Sequence, residues 1–232
     1  MRKRPSLFVV VIGDMVRSRR LRRPRRARIQ DQLERSFHQI NRDFKDSVCT
    51  ALQFTAGDEF QGVFKTADNI FTLIQRIREA ILPVPVRFGV GIGEITTPIS
   101  DRPQAMDGPA FHRARDALES AQEFLGLSCL SSGQPERDES VNAWLDILSF
   151  VRSTWSARAR EIIYLYEEFQ KLEPIAKKLG ISVQAVSKHL RVTGYKAYFR
   201  GERALASLLA GYRDSQPKKV ESRKSTRLGR KS

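Results

Sequence analysis

Two sets of residues in this chain have the types and spacing to do chemistry. The first is acidic. Asp14 follows the apolar run Leu7–Ile12 and Gly13, where a strand would end. Asp58 and Glu59 follow Gly57, between two further apolar stretches. If the strands bearing them are neighbours, three carboxylates converge at one end of a sheet. That is a usual way to hold Mg2+ (or Mn2+) beside a nucleoside triphosphate. Gly57 and the loop residues Arg17 and Ser18 then offer backbone N–H groups, a guanidinium and a hydroxyl to phosphate oxygens. Taken alone, the same carboxylates are also ordinary turn formers, since Asp suits hairpin tips.

The second set lies in Glu173–Leu190. Ile175 and Leu179 face inward from one helix, Ala176 is small where a second helix would cross, and Gly180 supplies a left-handed turn. Ile181 plugs the core and Ser182 caps the next helix. Val186 and Leu190 point inward. Val183, Gln184, Ser187, Lys188 and Arg191 are left outward, on a helix that would lie in a major groove. Gln suits adenine, and Lys or Arg suits guanine or phosphate. This is the pattern of a helix-turn-helix, with double-stranded DNA as partner. The segment Trp155–Tyr198 is similar to region four of sigma factors and to related transcription regulators.

The elements that must position these residues follow from periodicity. Leu7–Ile12 reads as a strand covered on both faces. Ile29, Leu33, Phe37, Ile40 and Phe44 recur at helical spacing behind Pro24. Val48–Thr55 and Phe60–Phe64 flank Gly57-Asp58 as a hairpin. Ala67–Ile81 is a second amphipathic helix, with Thr66 as a candidate cap. Val86–Ile95 is a strand with Gly89, Gly91 and Gly93 on one face, a mark of close approach by another backbone. Ala110, Ala114, Leu118 and Ala121 mark a third helix, and Leu125–Leu130 a last strand. The order β-α-β-β-α-β-α-β predicts an α+β fold, a ferredoxin-like α/β sandwich with one helix layer on a mixed sheet. An all-α helix-turn-helix domain follows. The expected division is an α/β domain over 1–131, a linker over 132–140, a helical domain over 141–212 and a disordered basic tail over 213–232.

Charge divides the same way. The 232 residues carry a net +15. Residues 1–30 hold 11 basic residues against one acid, and 31–150 hold 11 against 18. Residues 151–212 hold 11 against 5, and the last twenty hold 8 against 2. An acidic middle between basic ends suggests modules with different partners, the basic ones seeking a polyanion. Cys49 and Cys129 lie in apolar stretches and read as small core residues of a reducing, cytoplasmic protein. Six apolar residues after Arg2-Lys3-Arg4 are too few for a signal peptide, and no run is long enough to span a membrane. His38, His112 and His189 lack partners at metal spacing. Trp144 and Trp155 read as helical core, and Glu94 and Asp107 as loop carboxylates.

The motifs also carry a resemblance. Val11-Ile-Gly-Asp14, Thr55-Ala-Gly-Asp-Glu-Phe60 and Arg87-Phe-Gly-Val-Gly-Ile-Gly-Glu94 resemble the core of class III nucleotidyl cyclases and GGDEF diguanylate cyclases. With Asp107-Gly-Pro-Ala110, Ala114-Arg115 and the C-terminal helix-turn-helix, the chain more closely resembles the bacterial SatD family, over roughly residues 6–200. The resemblance implies a cyclase-like domain fused to a DNA-binding one. It implies Asp14 and Asp58 as the metal pair, a purine nucleotide as ligand, Arg115 as the arginine facing a transferring phosphoryl group, and a homodimer. Where the cyclases have an asparagine four residues before that arginine, this chain has Phe111. The function expected is a cytoplasmic transcription regulator with a nucleotide-sensing domain. The alternative is a metal-dependent nucleotidyl cyclase or related phosphoryl-transfer enzyme.

Overall fold

The computed structural model describes residues 6–16, 21–123 and 128–213. Its first part runs β1 (Phe8–Met15), α1 (Arg23–Asp43), β2 (Val48–Ala56), β3 (Glu59–Phe64), α2 (Ile70–Ala80), β4 (Val86–Gly93), α3 (Pro109–Glu123) and β5 (Ser128–Ser131). The strands form one sheet in the order β2-β3-β1-β4-β5. β1 lies between β3 and β4, antiparallel to both, and β5 is parallel to β4.

The apolar run of β1 is buried because both of its faces are covered. Val9 and Val11 pack with Leu33 and Phe37 of α1 and Ile74 and Ile77 of α2. Val10 and Ile12, one residue out of phase, pack with Ala110, Ala114 and Leu118 of α3. The expected single helix layer is therefore corrected to one layer on each face. The glycines of β4 explain why α3 can sit there. A Cβ on Gly91 would stand 2.0 Å from the Ala110 carbonyl oxygen, and one on Gly89 the same distance from that of Ala114. Asn69 precedes the first residue of helix α2 and gives it no side-chain cap. Thr66 Oγ donates instead to Asp68.

The second part is helical: α4 (Pro135–Ser153), α5 (Ala157–Phe169), α6 (Leu172–Leu179), α7 (Val183–Val192) and α8 (Tyr195–Ala210), closed by a 3-10 turn at Gly211–Arg213. The stretch 132–140, expected as linker, is helical from Pro135 onward. Its polarity belongs to an exposed first turn, and the buried Asp138 accepts from the amide of Ser132, also buried, at 2.8 Å and from its hydroxyl at 2.5 Å. Val141, Leu145, Leu148, Tyr198, Leu205 and Leu209 join the same apolar cluster as the α1 and α2 face of the sheet. Asn142 hydrogen-bonds both backbone groups of Leu130 in β5. Among the described residues no helix is long and apolar enough to cross a membrane. Cys49 and Cys129 are half-buried free thiols, and burial pushes both up in pKa. The expected tail lies beyond the described residues from 214 onward.

Candidate functional site

The acidic residues come together only in part. Strand register sets Asp14 opposite Glu59 on β3 and opposite Arg87 on β4. Directly opposed residues share a face, so Glu59, Asp14 and Arg87 form one row across three strands. The row has the phase of Val10 and Ile12 and so lies on the α3 face. Asp14 Oδ2 accepts from Arg87 Nη2 at 2.7 Å. Arg115, on α3, reaches down to Glu59 with both nitrogens, at 2.5 and 3.0 Å. Gln61 adds a donor to the same carboxylate at 2.8 Å. The Arg115 guanidinium is the largest cause holding the Glu59 carboxyl below its ordinary pKa, against the opposing effect of burial. Glu59 in turn raises Arg115.

Asp58 is held elsewhere. It sits in the hairpin turn, after Gly57 at φ +61°, and its Oδ1 accepts from Arg26 Nε and Nη2 at 3.1 and 2.6 Å. Arg26 belongs to α1, which covers the opposite face of the sheet from α3. The expected convergence of Asp14, Asp58 and Glu59 is thus resolved into three ion pairs, to Arg87, Arg26 and Arg115. Among the described residues no three His, Cys, Asp or Glu side chains are grouped to hold a metal ion. As arranged, each of the three carboxylates holds a guanidinium. Arg17 and Ser18 lie outside the described residues. Sequence reasoning missed Arg26 and Arg87. Arg87 could have been found, since it alternates with Phe88 into the face carrying Gly89 and Gly91.

The loop after β4 closes the outer half of this face. Ser100 and Asp101 give their carbonyls to Thr50 and Gln53 of β2, at 2.8 and 2.7 Å. Gln104 donates to the Thr55 carbonyl at 3.2 Å. Phe111 stands half-buried near the start of α3.

The second set lies on α6 and α7. Gly180 ends α6 in the left-handed region at φ 63°, and the Ile181 amide closes back onto the Ala176 carbonyl at 3.1 Å. Ser182 caps α7, its hydroxyl accepting from the Ala185 amide at 3.1 Å. Ile175, Ala176 and Val186 are buried against Ile162 and Leu165 of α5. Gln184, Ser187, Lys188 and Arg191 are exposed or half-exposed along one side of α7, at successive spacings of three, one and three. Val183 departs from expectation: it is half-buried and packs against the Ile162 cluster. It is the first residue of α7, where the helix still faces α5.

Among solved structures, a bacterial light-regulated adenylyl cyclase is similar at 11% identity and TM-score 0.43, covering 55% of this chain and 77% of that one. A dimeric guanylyl cyclase domain of a fusion protein from the aquatic fungus Blastocladiella emersonii is similar at 14% identity and TM-score 0.38, covering 50% and 74%. A regulator of polyketide synthase expression from Bifidobacterium adolescentis is similar at 14% identity and TM-score 0.28, covering 92% and 83%. No curated protein matches the chain. The model of the SatD family matches residues 8–209, nearly the whole described chain, and the protein belongs to that family.

Proposed function

We propose that this protein is a DNA-binding transcription regulator, with α7 as the helix that enters the major groove and the α/β part as its ligand-responsive half. The observation that carries this reading is the polar stripe Gln184, Ser187, Lys188 and Arg191. It lies on the open side of a helix fixed from behind by the fully buried Val186 and capped at Ser182. Lys177 and Lys178 stand exposed at the end of α6. Gln184 suits adenine, while Lys188 and Arg191 suit guanine or phosphate. The basic ends of the chain add phosphate affinity without sequence information.

For the α/β part, a nucleoside triphosphate is the ligand class proposed, with Arg115, whose side chain is 43% exposed beside Glu59, as the group that meets its phosphates. The enzyme reading needs the same carboxylates for a metal ion, and Phe111 stands where the cyclases this chain resembles have an asparagine.

The test is binding of a labelled random-sequence duplex across a range of salt concentrations. The logarithm of affinity falls linearly with that of salt. Replacing Lys188 and Arg191 together by Ala lowers the slope by about two if both grip phosphate. Melting of both proteins stays the same, because both side chains are exposed. Unchanged affinity and slope in the double variant would remove α7 as the reading head. The same melting measurement with each nucleoside triphosphate tests the ligand half. A rise lost in Arg115→Ala supports it, and no rise with any triphosphate overturns it.

A further inference from the structure

The helical part carries an open pocket of about 480 Å³ between the end of α5 and the start of α8. Tyr166 and Gln170 line it from the α5 side, and Tyr195, Lys196, Phe199 and Arg200 from α8. Three of these residues are aromatic and pack as one group. The Tyr166 and Tyr195 rings meet edge to face with centroids 5.5 Å apart, and Phe199 stacks on Tyr195 at 5.9 Å. Tyr195 is buried, whereas Phe199 is 42% exposed. Gln170 closes α5 in the left-handed region at φ 54°, its amide turned back onto the Tyr166 carbonyl at 2.9 Å. The helix therefore ends one turn beyond Tyr166, at the pocket wall. A hollow of this size, walled by rings and a few polar groups, has the make-up of a small-molecule site.

The polar groups are cations. Lys196 and Arg200 stand four residues apart on α8 and so are neighbours on one helix face. Tyr195 and Phe199 form the parallel stripe one residue earlier. Both cations are exposed, and among the described residues neither makes an ion pair or a side-chain hydrogen bond. Glu167 and Glu202 act on Tyr195 through space, but neither is in the pocket wall. The rings suit a flat aromatic partner, and the cations suit an oxyanion, Arg by its fork. A molecule with its oxyanion directly on an aromatic ring meets both stripes at once. A duplex would engage the cations alone, since its bases are stacked inside.

We propose that this pocket binds a small aromatic oxyanion, an aryl carboxylate or aryl phosphate, with its ring against Phe199 and Tyr166 and its charge on Lys196 and Arg200. Helices α5 and α8 both pack on α7, so the ligand would join two of the helices that support it. The site does not depend on α7 entering DNA, and its test contains no DNA.

The test is equilibrium dialysis of the full chain against 2-naphthoate and 2-naphthyl phosphate at fixed ionic strength. Decahydronaphthalene-2-carboxylate is the control, an acid of the same charge without the aromatic ring. An aryl anion should bind saturably at one site, and the tighter of the two names the anionic group. The saturated acid should bind at least about fivefold more weakly than 2-naphthoate. Arg200→Gln should weaken the aryl anion about tenfold, and Phe199→Leu about fivefold. Arg200 is exposed, so its variant keeps the test decisive should Phe199→Leu melt early. Arg115→Ala and the Lys188→Ala, Arg191→Ala pair should bind as the wild type does. No saturable binding of either aryl anion overturns the proposal. So does equal binding in Arg200→Gln and wild type. Equal affinity for the saturated acid overturns it too, and leaves a basic patch without selectivity for rings.

Discussion

Glu59 accepts from Arg115 through both oxygens and from Gln61 besides. These donors favour its charged form, and its pKa falls below the ordinary carboxylate value. A depressed carboxylate stabilises the fold above its unfolded pKa, about 4.3, and the contribution fades as pH drops through the folded value. The Arg115 side chain is 43% exposed, so solvent screens the pair. A contribution of about 1 kcal/mol is the reasonable scale. Glu59→Gln should therefore lower unfolding free energy by about 1 kcal/mol at pH 7 and by nearly nothing in acid, once Glu59 is protonated in the folded protein as well. Urea denaturation at the two pH values checks this, and an equal loss at both would assign the effect to packing. At this scale the sequence is only half legible. The acids are visible from their neighbours, Gly13 and Gly57. Their arginine partners stand 73, 32 and 56 residues away, for Asp14, Asp58 and Glu59 in turn, and no local spacing reveals them.

At the scale of elements, β4 and α3 are held at a distance that only glycine permits. A Cβ on Gly91 would meet not only the Ala110 carbonyl but the Ala114 amide nitrogen at 2.4 Å. Both are helix backbone, which cannot swing aside as a side chain could. Gly91→Ala should force α3 off the sheet at a cost of ~3 kcal/mol or more. Gly57→Ala is the contrast. Its φ is +61° but nothing lies within 4 Å, so its cost is about 1 kcal/mol of backbone strain. The two urea midpoints measure the difference, and a Gly91→Ala loss no larger than that of Gly57→Ala would contradict the close packing. Here the sequence is informative, because glycines at three alternate positions strip one face of a strand of side chains and leave room there for a helix backbone. It is less so at 132–140. Pro135 is a good first helical residue, but Gly133 and the charges around it have the composition of a boundary. The one buried acid, Asp138, cannot be told from its exposed neighbours without knowing that Ser132 and Tyr212 meet it.

For the whole molecule, the sheet and the helices do not have separate cores throughout. Side chains of α4 and α8 share one apolar cluster with the α1 and α2 face of the sheet. Polar contacts cross the seam, from Asn142 to Leu130, Arg152 to Glu79 and Arg78 to Ser149, and others tie α4 to the end of α8. The Tyr212 hydroxyl donates to Asp138 at 2.8 Å, and Arg137 lies 4.2 Å over the Tyr212 ring. Arg137 also donates to the Leu208 and Gly211 carbonyls, at 2.7 and 3.0 Å, closing the end of α8. By contrast α6 and α7 rest with α5 on a smaller cluster around Ile162 and Val186. Two levels of stability follow. Amides of α6 and α7 should exchange first, through a local opening. Amides of α4 and α8 should exchange with those of β1 and β4, at the free energy of global unfolding. Asp138→Ala leaves the donors of Ser132 and Tyr212 without their buried acceptor, a loss of about 2–4 kcal/mol. It should lower protection of β1, β4, α4 and α8 by the same amount, and that of α6 and α7 by less. Native-state hydrogen exchange followed by mass spectrometry resolves these segments. If α8 alone lost protection while the strands kept theirs, the sheet and the helical part would be two cooperative units. A ligand on the α/β part would then have no packed route to α7. If they fall together, anything that stabilises the sheet also stiffens the platform on which α7 is carried.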